Sequence, residues 1–256
     1  MDHQTLAEKP SPQTVDLHAF YSRMAESAGS LPDLYDAMEG WSEVVVRDNP
    51  ILECQKGCAR CCMHQVLAGE QEWALIHNWM RENLTKEQRL AIYKRVTDQM
   101  AQYGNPLSRW LKMRNKQPKA FVRAVGQGFR TESTRCPMLG PDNRCEVYPV
   151  RPFVCRAYGR SRMPSGNAMI CEVFAGRFRQ QERTTTDIPL EDMSIMSPKY
   201  FELGGRKSSD DGLYTLLAIH LLRNQTASGD LARHPTPLTA EKTYPVVGRD
   251  DFPGRR

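Results

Sequence analysis

The residues of this sequence best suited to chemistry are its eight cysteines, which fall into two groups. The first is Cys54-Gln55-Lys56-Gly57-Cys58-Ala59-Arg60-Cys61-Cys62, and the second comprises Cys136, Cys145, Cys155 and Cys171. Thiolates ligate zinc, and they hold the irons of iron–sulfur clusters. Cys58 and Cys61, separated by two residues, can bend back onto one metal, and Gly57 permits backbone angles that other residues resist. Cys62 follows directly. In an extended segment neighbouring side chains point to opposite faces, so Cys61 and Cys62 are expected to serve different metal atoms, or one is a packed or reactive thiol. In the second group Pro141, Asp142 and Asn143 are turn formers that set Cys136 and Cys145 on two arms of a bend. Pro149 and Pro152 stiffen the next arm, which ends at Cys155, and stiff loops lower the entropy lost in gathering ligands.

The thiols matter only if they stay reduced. The opening MDHQTLAEKPSPQTVD carries three acids and no apolar stretch, against a secretory signal. No run approaches the about 18 apolar residues of a membrane helix. The expected compartment is therefore the reducing cytoplasm, where clustered thiols ligate metal more often than they pair. At 256 residues, with 40% hydrophobic and 25% charged, the chain can bury a core without disulfide staples.

The net charge of +5 is mild, but its distribution is uneven. The stretch 106–130 holds Arg109, Lys112, Arg114, Lys116, Lys119, Arg123 and Arg130 without an acid. It is a candidate surface for nucleic acid or an acidic partner, although such a face is more often merely solvated. Arginine also crowds the second cysteine group, at Arg135, Arg144, Arg151, Arg156, Arg160 and Arg162. Guanidinium groups beside thiols favour the thiolate that binds metal. Tyr148, Arg151 and Arg156 are the candidates to orient ligands and balance charge from just outside the ligand set.

At these positions the chain resembles the YkgJ-like cysteine-cluster family, described as zinc- or iron-chelating. The resemblance rests on Cys54, Cys58, Cys61 and Cys62, then Cys136-Pro137, Cys145, Val147-Tyr148, Arg151-Pro152, Cys155-Arg156 and Cys171. It covers roughly residues 51–175, implies a metal held by these cysteines, and leaves zinc against iron open. His64, separated from the Cys-Cys pair by Met63, reads as a surface-loop histidine.

The elements that must position these residues are mostly helical. Phe20, Met24, Leu34, Met38, Trp41 and Val45 recur at helical spacing, and Pro32 divides the run into two helices, the first starting near Asp16. Glu70 to Leu84 reads as a helix with Trp73, Ile76 and Met80 on one face. Thr85 and Gln88 form a capping-box signature for the next helix, with Leu90, Tyr93, Val96 and Met100 inward. A short helix is expected over 172–181, and a buried one from Ser209 or Asp210 through Leu222. His77 and His220 lie within helices and read as core residues. The expected fold is mainly α with few or no strands: a single domain over 15–223 around a cysteine core, a leader over 1–14 and a tail over 224–256. Walker, Gly-x-Ser-x-Gly and His-Glu-x-x-His motifs are absent, and Gly126-Gln127-Gly128 lacks the strand a dinucleotide loop needs. Eight thiolates exceed the needs of one zinc, so an iron–sulfur protein with a redox or enzymatic role is favoured. A zinc-organised binding module and a metal-trafficking protein are the alternatives.

Overall fold

Helical spacing of apolar residues sets the first elements. The computed structural model describes residues 17–64, 66–99, 101, 135–188, 190–204 and 214–237. Helix α1 (Leu17–Ser27) and helix α2 (Leu31–Asp48) are divided where Ser30 caps α2 by accepting from the Asp33 N–H. Pro32 lies in the first turn of α2, where its missing N–H costs nothing. Strand β1 (Leu67–Gly69) runs into α3 (Glu70–Asn83). Thr85 and Gln88 form the anticipated reciprocal cap, with the Thr85 N–H donating to Gln88 Oε1 at 2.8 Å and the Gln88 N–H to Thr85 Oγ1 at 3.3 Å. It opens α4, over residues 86–99. Further along lie α5 (Phe153–Ala157), α6 (Glu172–Gln180), α7 (Met193–Leu203) and α8 (Leu217–Arg223).

The fold is mainly α, as expected, with a few small strands among the helices. Strands β2 (Arg160–Arg162), β3 (Ala168–Ile170), β4 (Glu191–Asp192) and β5 (Tyr214–Leu216) join β1 in two sheets. Antiparallel β1 and β5 make one sheet, and β3-β2-β4 the other, with β2 antiparallel to β3 and parallel to β4. The helix expected through Leu222 is corrected here. Tyr214–Leu216 pairs with Leu67–Gly69 as strand, and helix begins only at Leu217. An apolar run of that length suits either state, and the partner strand decides. Ser209 and Asp210, the leader and Met100 lie outside the described residues.

Three apolar clusters fill the interior. The first joins Trp73, Ile76 and Met80 of α3 to Ile92, Tyr93 and Val96 of α4 and to Met138, Leu139 and Leu216–Ile219. The second packs Ala25 of α1 and Leu34 and Met38 of α2 on Met193, Met196 and Tyr200 of α7. The third sets Trp41 and Val45 of α2 against Ile51, Leu52, Phe174 and Phe178. Each fully buried large side chain contributes about 1.5–3 kcal/mol. His77 and His220 are core residues, as expected: His77 Nε2 lies 3.0 Å from the Ala232 carbonyl, and His220 Nε2 3.1 Å from that of Ala68. The expected tail is corrected at its start. Leu231 is buried, the Ala232 N–H bonds the Asn224 carbonyl, and Asp230 pairs with Arg89 at 2.7 Å, so 224–237 packs on α3 and α4. Residues 238–256 lie outside the described set. No helix of the described residues is long and apolar enough to cross a membrane.

A buried carboxylate ties these parts together. Glu72, 2% exposed, accepts from Tyr35 Oη (2.8 Å) and the Phe153 N–H (2.6 Å) at Oε1. At Oε2 it accepts from the Gly69 N–H (2.8 Å) and Tyr200 Oη (2.5 Å). One side chain thus satisfies donors from α2, α7, the start of α3 and the start of α5. Glu191 is different. It is 4% exposed and in register with buried Ser161, and neither Glu191 Oε1 nor Ser161 Oγ has a hydrogen-bond partner among the described residues. Burial pushes the Glu191 carboxyl up to about 8, against the pull of Arg160.

Two measurements check this account. Glu72→Ala strands four donors, and urea unfolding is expected to record a loss of at least about 3 kcal/mol, against about 1 for Tyr35→Phe. A loss below 1 for Glu72→Ala would mean that water satisfies the donors. For Glu191 the folded value lies above the ordinary 4.5, so the folded chain keeps a proton that the unfolded chain releases. The stability from this group is full below about pH 4.5 and is lost as pH rises to about 8. Glu191→Gln is expected to abolish that loss and raise Tm most at the alkaline end. An equal Tm change across the window would mean that Glu191 does not titrate there.

Candidate metal centre

The first cysteine group is held by three tight turns. A 3₁₀ turn at Pro50–Leu52 anchors its start through buried Ile51 and Leu52. Cys54 follows, exposed. The Cys58 N–H bonds the Gln55 carbonyl at 3.0 Å across a turn in which Gly57 has φ of +83°, the freedom that only glycine has cheaply. Arg60–Cys62 forms a second 3₁₀ turn. The segment is thus not the extended chain expected from the sequence. With about three residues per turn, successive side chains diverge by roughly 120° rather than 180°, and Cys61 Sγ and Cys62 Sγ lie 3.9 Å apart, in contact.

The second group folds back onto the first. The Cys136 N–H bonds the Cys62 carbonyl at 2.6 Å, which joins the two groups through backbone. The predicted bend is present: Leu139 bridges Cys145, the Glu146 N–H bonds the Met138 carbonyl at 2.9 Å, and Asn143 turns the chain with φ of +60°. Cys155 lies in the short helix α5, its N–H bonded to the Pro152 carbonyl at 2.9 Å. Cys171 occupies the N-cap of α6. Gly159 lets the chain pass close: a Cβ there would stand 3.4 Å from Cys171 Cβ, at φ of +93°. All eight cysteines are free thiols.

Burial keeps most of these thiols protonated. It pushes Cys136 up to about 12, with the charge of Cys145 adding to it, and raises Cys155 well above the ordinary range, with Cys136, Cys145 and Cys61 adding. Burial likewise raises Cys145. Cys54, though exposed, is raised by partial desolvation and then by Cys58, Cys61 and Cys171, and Cys171 by burial and then by Cys58 and Cys61. Cys61 goes the other way. Its hydrogen bond with Cys62 lowers it, with Arg151 and Arg160 helping, and the same bond raises Cys62.

A cationic frame stands beside the thiols. Arg151 Nη2 and Arg156 Nη1 both donate to Glu39 Oε1, at 2.6 and 2.5 Å. Arg156 also donates to the carbonyls of Arg151 (3.1 Å) and Pro149 (2.7 Å), and its guanidinium covers the Tyr35 ring at 4.3 Å. Arg151 lies over the Tyr148 ring at 4.0 Å. Two guanidinium groups on one carboxylate leave a surplus positive charge, and that of Arg151 favours the thiolates of Cys61, Cys145 and Cys155. Tyr148 is exposed and touches this frame through Arg151. Glu39 had no signature in the sequence: it is 112 residues from Arg151. Arg162 donates to the carbonyls of Gly166 and Thr185, so it does not simply point into water. His64 is half-buried rather than a bare surface residue, with Nε2 3.4 Å from Tyr158 Oη. The stretch 106–130, with Gly126 and Gly128, lies outside the described residues.

The donor set fits zinc or an iron–sulfur cluster, because both take thiolates. Among the described residues no three such side chains already stand around one point, so binding must draw the thiols together. It must also displace their protons. Apparent metal affinity is therefore expected to rise with pH, tenfold per pH unit for each proton released. Calorimetry in buffers of different ionisation enthalpy measures that count, and zero protons released would refute the protonated-thiol account.

No curated protein and no solved structure matches the chain. A protein-family match, in contrast, spans residues 53–184, which reaches from just before Cys54 to beyond Cys171. Its description is "Putative zinc- or iron-chelating domain", and the matched segment takes in all eight thiols and the Arg151–Arg156 frame. By this match, over more than half its length, the chain belongs to the CxxCxxCC family.

Proposed function

We propose that the chain is an iron–sulfur protein of the reducing cytoplasm whose ligands are drawn from Cys54, Cys58, Cys61, Cys62, Cys136, Cys145, Cys155 and Cys171. The observation that carries this reading is the sulfur contact between Cys61 and Cys62, at 3.9 Å, beside the surplus positive charge of the Arg151–Arg156–Glu39 group. Adjacent thiolates suit a centre with several metal atoms, since each can bind its own iron. Thiolate-ligated centres carry net negative charge, and a buried cationic frame lowers the cost of holding it. A bound cluster would supply one-electron transfer. The role of the chain's own residues is to hold the thiols reduced, limit water at Cys136 and Cys155, and set the local charge through Arg151.

The test is metal and sulfide content, with an absorption spectrum, on protein purified without oxygen or added metal. About four irons per cluster with matching sulfide, and broad absorbance near ~400 nm, are expected. About two zincs in a colourless solution would overturn the iron reading and leave a zinc-organised module. Binding to nucleic acid through 106–130 would then be sought as affinity falling steeply with salt.

A further inference from the structure

The bend that carries Cys136 and Cys145 must be closed at a set spacing, and its own backbone does only part of this. The Leu139 N–H donates to the Cys136 carbonyl at 3.0 Å, and the Glu146 N–H to the Met138 carbonyl at 2.9 Å. The first bond makes Cys136–Leu139 a turn with Pro137 in second place, where the fixed φ of proline is favoured. That turn leaves the Pro137 carbonyl unused, and a half-buried carbonyl needs a donor. Arg95 of α4 supplies it, with Nε 2.7 Å from the Pro137 oxygen.

The same guanidinium makes a second bond. Arg95 Nη2 donates to Glu146 Oε2, in an ion pair whose side chains are only 22% and 21% exposed. Pro137 directly follows Cys136, and Glu146 directly follows Cys145. One planar group therefore ties together the residues next to both thiols, at an angle that a point charge could not fix. Gln99 lies one turn along α4 on the same face, and its Nε2 donates to the carbonyl of Arg135, just before Cys136. Arg135 laces the bend from within, donating to the Gly140 carbonyl (2.6 Å) and to Asn143 Oδ1 (3.1 Å). Packing alone does not close this seam: a groove lined by Gln88, Ala91 and Pro141 runs between α4 and the bend beside Arg95.

We propose that Arg95 is a positioning residue of the metal centre, which sets the spacing of Cys136 and Cys145 by bonding Pro137 and Glu146 with one guanidinium. This rests on the metal-binding reading above and deepens it, since α4 carries no cysteine and Arg95 is not a ligand. No three thiols already surround one point, so binding must order them. A pair of thiols already held in place lowers the entropy lost in that step. The clamp is strong enough for this, because its ion pair is charge-assisted and mostly shielded from water.

The test compares the full wild-type chain with Arg95→Lys, which keeps the charge but loses the fork, and with Arg95→Met, which loses both. In the reduced, metal-free chains, alkylation mapped by mass spectrometry is expected to quicken about tenfold or more at Cys136 and Cys145 in both variants. Cys54 and Cys171 are expected to react as in the wild type. Zinc affinity, measured by competition with a chelator, is expected to fall about tenfold or more in both. A smaller fall in Arg95→Lys would assign the effect to charge alone and overturn the proposal. Tm is expected to drop further in the zinc-loaded variants than in the metal-free ones. An equal drop in the two states would mean a merely structural role, and would also overturn it. A wild-type chain that takes up neither zinc nor iron would instead overturn the metal-binding reading itself, whatever the alkylation shows.

Discussion

Both carboxylate oxygens of Glu72 are spent inside the protein, each on two donors, and those donors come from α2, α7, the start of α3 and the start of α5. A buried carboxylate is tolerated only when its charge is met by hydrogen bonds, so Tyr35, Tyr200, Gly69 and Phe153 must all arrive together. Their arrival sets α2 and α7 against α3. It also places the start of α5, and with it Cys155, at a defined distance from the helical body. The cysteine segments have few strands or long helices of their own to orient them, so this joint and the Glu39–Arg151–Arg156 group do that work.

The second constraint is charge. Cys136, buried, and Cys155, half-buried, resist ionisation, yet a thiolate is the form that binds metal. Arg151, held by Glu39 and covered by Tyr148, supplies the compensating field without itself being a ligand. Arg156 locks the same carboxylate and laces the 149–151 backbone, so the field comes from a fixed position. Glu191 and Ser161 stand apart from this order. They pair in register between β2 and β4 with polar atoms unmet among the described residues, and a neutral carboxyl is the form that burial favours.

The cysteine loops also act as seams. One group of thiols rests on the cluster under α3 and α4, and Cys171 rests on the cluster between α2 and α6. Drawing sulfur ligands together across that seam would tie the two clusters, and an irregular backbone gains most from such a tie because it has few internal hydrogen bonds to lose.

What the sequence determined by itself was local. The helix over Glu70–Asn83, the Thr85–Gln88 cap, the short helix over Glu172–Gln180 and the bend between Cys136 and Cys145 follow from apolar spacing and turn chemistry within a few residues. The pool of eight thiols, and the arginines that crowd it, were likewise legible as residue types. Tertiary structure decided the rest. Cys61 and Cys62 meet because a 3₁₀ turn replaced extended chain. Tyr214–Leu216 became strand because β1 was there to pair with it. Leu231 was drawn from an expected tail into the core. Glu39 and Glu72 gave no sign of importance, since most of their partners lie far along the chain, and Glu191 gave none because its state is set by burial. A carboxylate's role is set by which donors surround it once buried, and periodicity carries no record of contacts that span a hundred residues.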